Sequence, residues 1–136
     1  MIELIQRFIK ESANLRVCVI GETIVDRFIP VTYEGPSMKS ACPVYRLRGE
    51  SANQEGGAGA IANHLREFVK SIDLLTNPQD AVIKTRYIDA DTGQKHVEIN
   101  HFDRDRFPSF KVDVNDYDVV IVADFGHGLC DKLEIN

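Results

Sequence analysis

Tyr117-Asp118-Val119-Val120-Ile121-Val122-Ala123-Asp124 is the stretch on which the fold turns. Four β-branched residues and an alanine run without a polar interruption between two aspartates. The run is too short for a helix and shows no alternation. It therefore predicts a strand buried on both faces, as in a parallel sheet. It is also far too short to span a membrane. The chain leaves it through Phe125-Gly126-His127-Gly128, a glycine-rich turn.

Two shorter runs of the same kind lie upstream. Val17-Cys18-Val19-Ile20 ends at Gly21, and Ile72-Asp73-Leu74-Leu75-Thr76 ends at Asn77-Pro78. Between them, Gly56-Gly57 opens the segment Ala58 to Val69, where Ile61, Leu65, Phe68 and Val69 share one helical face. Leu4, Ile5, Phe8 and Ile9 give Ile2 to Glu11 a helical spacing as well. Ile24 to Ile29 reads as extended chain up to Pro30. Val31 to Gln54 holds Gly35-Pro36, Pro43 and a short alternating stretch, which predicts strands and turns outside the main sheet. Ala81 to Tyr87 and His96 to Asn100 flank Asp91-Thr92-Gly93, a hairpin signal. The whole predicts an α/β fold: a partial parallel sheet with a β-rich appendage.

The chain has 136 residues, 43% apolar and 27% charged, which suits one ordinary domain with one modest core. A net charge of -5 argues against non-specific nucleic-acid binding, which needs clustered cations. Met1 to Arg7 has neither the basic nor the apolar region of a signal peptide, so a cytoplasmic location is the expectation. Three cysteines, Cys18, Cys42 and Cys130, form no Cys-x-x-Cys pair, and the four histidines are scattered. Neither a disulfide framework nor a metal site is suggested, and no catalytic residue is assigned.

Three segments carry candidate chemistry. Glu22 and Asp26 follow the first strand, where ligands bind in open α/β sheets. A carboxylate there accepts hydrogen bonds from sugar hydroxyls, or it is simply a solvated turn acid. Gly56-Gly57-Ala58-Gly59-Ala60 permits close approach of a ligand to a helix N-terminus, or close packing of helix on sheet. No Gly-Lys-Ser/Thr follows, so it is not a phosphate loop. Asp124, at the end of the strongest strand, stands at a ligand rim or in a plain turn.

Taken in order, Gly-Glu-Thr-Ile-Val-Asp, Pro43-Val44 with Arg46-Leu47, Gly-Gly-Ala-Gly-Ala-Ile-Ala-Asn-His-Leu, Lys84-Thr85-Arg86-Tyr87 and Asp-Phe-Gly-His-Gly resemble the ribokinase (PfkB) family of sugar kinases. The series is most similar to the heptose-7-phosphate kinase domain of bifunctional kinase–nucleotidyltransferases. The resemblance runs from Arg16 to Leu129 and covers the N-terminal half of that family's domain. It implies a ribokinase-like sheet with a β lid over segments 31–54 and 84–102. Asp26 matches the sugar-hydroxyl acceptor, and Glu22 a second acid. Gly56 and Gly57 match a di-glycine hinge. Lys84 and Arg86 are candidate contacts to a sugar phosphate, or a solvated strand face. The lid of such kinases often pairs two subunits, so a homodimer is expected.

There are departures from the family pattern. Ala60 stands where members often carry Asn. Almost nothing joins Asn77 to Ala81, where members have a helix and a strand. Gly-Ala-Gly-Asp, which carries the family's general base and anion hole, has no counterpart. ATP and Mg²⁺ therefore belong to the family's other half, and no cofactor is expected on these residues. The expectation is a sugar-binding and lid half that needs a complementary half for phosphoryl transfer, or a non-catalytic sugar-phosphate-binding or dimerisation module. An unrelated small α/β domain is the remaining reading.

Overall fold

The three apolar runs pair as parallel strands. The computed structural model describes residues 1–136. Its elements in chain order are α1 (Ile2–Ser12), β1 (Arg16–Gly21), β2 (Thr23–Pro36), β3 (Pro43–Leu47), β4 (Ala52–Gly56), α2 (Gly57–Leu65), β5 (Ser71–Leu75), β6 (Val82–Asp89), β7 (Lys95–Phe102), β8 (Phe110–Val112), β9 (Val119–Ala123) and β10 (Leu133–Ile135). A body sheet has the order β5-β1-β9, parallel throughout, with Val19 opposite both Leu74 and Ile121. β8 and β10 form a small parallel pair.

β1 is central because both of its faces are apolar. Val17 and Val19 pack with Ala58 and Ala62 of α2, joined by Ile72, Leu74 and Ile121. Cys18 and Ile20 pack on the opposite side with Val112, Phe110 and Leu133. Removing a side chain such as Ile20 from water stabilises the fold by roughly 1.5–3 kcal/mol. The small residues of α2 let the helix lie close on the sheet.

α2 is shorter than the expected Ala58–Val69. After Leu65 the chain tightens, with Phe68 N–H donating to Leu65 O at 2.9 Å. Lys70 N–H then donates to Leu15 O at 2.9 Å, which turns the chain into β5. α1 forms as the spacing predicts, but Leu4 and Phe8 are each 70% exposed. No helix is long and apolar enough to cross a membrane.

The β-rich appendage is one five-stranded sheet, ordered β3-β2-β6-β7 with β4 also paired to β2. Its limits differ from segments 31–54 and 84–102, since β2 enters the sheet at Thr23 and β6 at Val82. β2 runs through Pro30 as a single 14-residue strand. β4 pairs with Ile24–Phe28 and β3 with Val31–Pro36, so Pro30 falls where the antiparallel partner changes. A missing N–H is tolerated at such a gap. β6 and β7 form the expected hairpin: Asp89 Oδ1 accepts from Thr92 N at 2.8 Å, and Gly93 has φ +73°.

Candidate functional site at the seam of the two sheets

β1 passes from the body sheet into β2 of the second sheet across a single residue, Glu22. Glu22 is fully buried, and its carboxylate accepts from Phe125 N (3.0 Å), His127 N (3.2 Å) and Leu129 N (3.0 Å). Expected as an acid facing a sugar, Glu22 is instead the anchor of the glycine-rich turn after β9. Its oxygens are enclosed and committed to backbone donors, which compensates for the cost of burying the charge.

The same residue fixes the start of α2. Its carbonyl accepts from Ala58 N at 2.8 Å. Gly57 has φ +65°, and a Cβ there would sit 2.1 Å from that carbonyl oxygen. Only glycine fits. Gly21 is held equally tightly: its Cβ would lie 2.0 Å from Ala123 O. The glycines thus bring three connections of the body to one point.

Asn77 and Thr76 bind the seam from the end of β5. Asn77 accepts from Thr23 N at 2.9 Å and donates to Thr23 O at 3.0 Å, as a paired strand would. Thr76 Oγ1 lies 2.9 Å from Thr23 N and 2.8 Å from Thr23 Oγ1. Asn77 is buried, and Pro78-Gln79-Asp80 leads directly from it into β6.

Asp26 lies on β2 with Gln54 of β4 and Lys84 of β6 opposite it. Gly56 is close beside it, as a Cβ there would be 3.2 Å from Asp26 Oδ2. Asp26 Oδ1 is ion-paired with Arg86, and the same guanidinium reaches Glu98 at 3.1 Å. Lys95 extends the chain to Glu98 at 2.9 Å. Both Asp26 and Arg86 have side chains only 23% exposed. Burial alone would lower the Arg86 pKa, and the two carboxylates more than reverse it, raising it above its ordinary value. Arg86 also lies over the Phe28 ring, 5.5 Å from its centroid. The expected phosphate contact is therefore a clamp, committed to two acids. It orients Asp26 and leaves Oδ2 toward Gly56.

Lys84 shares this face, one step along β6 from Arg86 and opposite Asn100 of β7. Unlike Arg86, it has no carboxylate within ion-pair distance. Asp124 is exposed at the rim and accepts from Gly126 N at 2.8 Å. His127 belongs to the site as well, stacked on Phe102 with centroids 4.5 Å apart. Sequence reading marked its turn but not the imidazole; the signal was a ring side chain between two glycines. The structure thus brings Asp26, Gly56, Gly57 and Arg86 together near the seam, with Lys84 on the same face of the five-stranded sheet and Asp124 in the turn after β9. Glu22 lies beneath the turn.

The largest cavity, about 390 Å³, is elsewhere, lined by Val25, Arg27, Asn53, Glu55, Asp80 and Ile83 among others. The side chains of Val25, Arg27 and Ile83 alternate with those of Asp26 and Lys84, so this cavity opens on the opposite face of the five-stranded sheet. A trio of Glu22, Asp124 and Cys130 has ligand atoms within 4.8 Å of one another. Glu22 already satisfies three backbone donors there, and burial first, then Asp124 and Glu22, push the Cys130 thiol pKa up. That donor set does not suit a metal.

No family model matches the chain, and no curated protein matches it. Among solved structures, a carbohydrate kinase from Agrobacterium tumefaciens is 12% identical with a TM-score of 0.32, over 62% of this chain and 34% of that one. A Clostridium perfringens protein described as a sugar kinase is 14% identical with a TM-score of 0.35, over 68% of this chain and 36% of that one. The chain spans about a third of the length of each. Likenesses this slight carry no argument about function, which rests on the residues.

Proposed function

We propose that this chain is the sugar-binding and lid half of a PfkB-type carbohydrate kinase acting on a heptose-phosphate-like sugar. The observation that supports the reading best is Asp26. Its carboxylate is ion-paired with Arg86 and lies beside Gly56, on the face of the five-stranded sheet that also carries Lys84. An acceptor oriented in this way suits paired sugar hydroxyls. Phosphoryl transfer would require ATP, Mg²⁺, a base and an anion hole from a complementary half.

The test is calorimetric titration of the 136-residue chain with heptose 7-phosphate and with ATP. The sugar phosphate gives a binding signal that Asp26→Ala abolishes, and ATP gives none in either protein. Binding unaffected by Asp26→Ala, or sugar-dependent ADP release from this chain alone, overturns the reading.

A second reading, a dimerisation module, is favoured by the lid's outer strands. β3 and β7 each have one unpaired edge, and Leu47 (65%) and Ile99 (55%) are exposed. Such edges invite pairing with a second copy. Light scattering tests it: a homodimer that Ile99→Lys converts to monomer supports the reading, and a monomer at high micromolar concentration overturns it.

A further inference from the structure

α1 is attached to the body at one end only. Its side-chain hydrogen bonds run within the helix, from Arg7 to Glu11 at 2.7 Å and from Ser12 Oγ to Ile9 O at 2.9 Å. Ser12 is its one buried residue. The C-terminal half lies against the chain that follows α2. There Phe8, Ile9 and Ser12 face Leu65, Phe68 and Val69 across a groove of about 340 Å³, apolar apart from Ser12. The N-terminal half does not line the groove. Ile2, Leu4 and Ile5 lie beyond it, Ile2 exposed by 73% and Ile5 by 53%.

The spacing sets Ile2, Leu4, Ile5, Phe8 and Ile9 on one arc of the helix, and Glu3, Arg7, Lys10 and Glu11 on the rest. Helices shorter than about 12–15 residues are marginal in water, so this 11-residue helix needs its apolar arc covered. The polar arc carries two acids and two bases, and the chain a net charge of -5. An anionic lipid surface selects polar faces rich in Lys and Arg, which this one is not. A second copy fits in three ways. The overhang and the groove sit side by side on one chain, so a two-fold axis brings each onto the other. Antiparallel helices set the positive end of one dipole beside the negative end of the other. The exposed parts of the five α1 residues and Phe68 amount to on the order of 1,000 Å² over two copies, close to the roughly 1,200 Å² of a small specific interface.

We propose that α1 pairs antiparallel with α1 of a second copy, Ile2, Leu4 and Ile5 of each chain filling the groove beside Phe68 of the other. α2 starts at the seam with Gly57 and ends beside the groove with Leu65, so the contact lies at the far end of α2 from Glu22. Pairing there leaves the seam open. The surface is also separate from the free edges of β3 and β7, and the inference does not depend on the sugar reading. Because α1 is held by its partner, its helix content rises as the copies associate.

Sedimentation of the 136-residue chain from low to high micromolar concentration tests the proposal, with circular dichroism on the same samples. Ile5→Lys, in the overhang, and Phe68→Lys, in the groove, each halve the mass. The change is from dimer to monomer or, where the edges of β3 and β7 also pair, from tetramer to dimer. Both variants lose the rise in helix content with concentration, and Lys10→Ala, on the polar arc, changes neither readout. Val19 methyl signals of the body persist in every variant, which separates lost pairing from lost folding. In a sample mixing labelled and unlabelled chains, an intermolecular NOE joins the Ile5 methyl of one copy to the Phe68 ring of the other. A wild-type monomer at high micromolar concentration overturns the proposal, whether or not it binds vesicles of anionic lipid. A mass that both lysine variants leave unchanged overturns it too.

Discussion

The two sheets meet at Glu22 but are held together by different forces. The body sheet is built around a strand with no charged side chain between Val17 and Gly21, and every one of those residues is buried. The five-stranded sheet is half-buried along β6, packs Ile24 and Val82 against Phe107 and Leu129, and adds on its other positions the ion pairs of Asp26, Arg86, Glu98 and Lys95. Apolar packing is non-directional and makes a scaffold. Ion pairs fix direction and leave polar atoms at a surface where a ligand can compete for them. The candidate site lies where the directional sheet is bolted to the packed one.

The largest effects should come from the bolt itself. Gly57→Ala forces a side chain into the left-handed region and against Glu22 O, where its Cβ would be at 2.1 Å. We expect a loss of about 4 kcal/mol or more, or failure to fold, in a urea titration. Normal stability would show that the seam is compliant. Glu22→Ala leaves three backbone donors near the turn without an acceptor and should cost roughly 3–5 kcal/mol. Glu22→Gln, which keeps one acceptor oxygen, should cost less. Equal losses for the two would argue that volume rather than hydrogen bonding matters there.

pH should separate the sheets. Hydrogen bonds from Lys95 and Asn100, then Arg86, lower the Glu98 pKa to about 2, against a small effect of burial. The Thr92 N–H and hydroxyl, with smaller help from Asp91 and His96, do the same for Asp89, also to about 2. Both acids are stronger folded than unfolded. Their stabilisation is complete above their ordinary values of 4.5 and 3.8, and is lost as pH falls toward 2. Tyr117 behaves in the opposite sense. Its hydroxyl donates to Asp73 at 2.8 Å, and this bond, with burial, pushes its pKa up to about 12. The neutral phenol is favoured in the folded state, so its contribution is complete below 10.0 and is lost as pH rises through about 12. Methyl NMR should show Val97 and Ile99 of the β6–β7 hairpin loosening first in acid, and Ile72 and Val120 of the body first in alkali. Simultaneous loss of both sets at each end would contradict the division.

The smallest effect concerns thiol reactivity. Cys42 is exposed between β2 and β3, whereas Cys18 is fully buried in the body with its thiol pKa raised by burial. Cys130 is raised as well. A thiol reagent should modify Cys42 at least about tenfold faster than either. Comparable rates would mean that the body opens readily.

The body was legible because continuous apolar runs admit few arrangements: Val17–Ile20, Ile72–Leu75 and Val119–Val122 pair as their patterns require. The hairpin was legible from Asp91-Thr92-Gly93. The extent of β2 was not, because Pro30 signals a break and only the change of partner from β4 to β3 makes it tolerable. In the site, a sequence can show that acids follow a strand but not which way they face. Glu22 and Asp26 are four residues apart, yet one is enclosed by the turn after β9 and the other lines a face of the five-stranded sheet. Asn77 gave no signal, since its role depends on Thr23, distant in the chain.

The central claim is that the ligand binds at the seam rather than in the 390 Å³ cavity on the other face of the five-stranded sheet. Mapping amide shifts in a ¹⁵N NMR titration with heptose 7-phosphate tests it most directly. The account predicts changes concentrated at Gly56, Gly57 and Gly126 to Gly128, and absent in Asp26→Asn. Changes centred on Asn53, Gln79 and Asp80, around the 390 Å³ cavity, would contradict it.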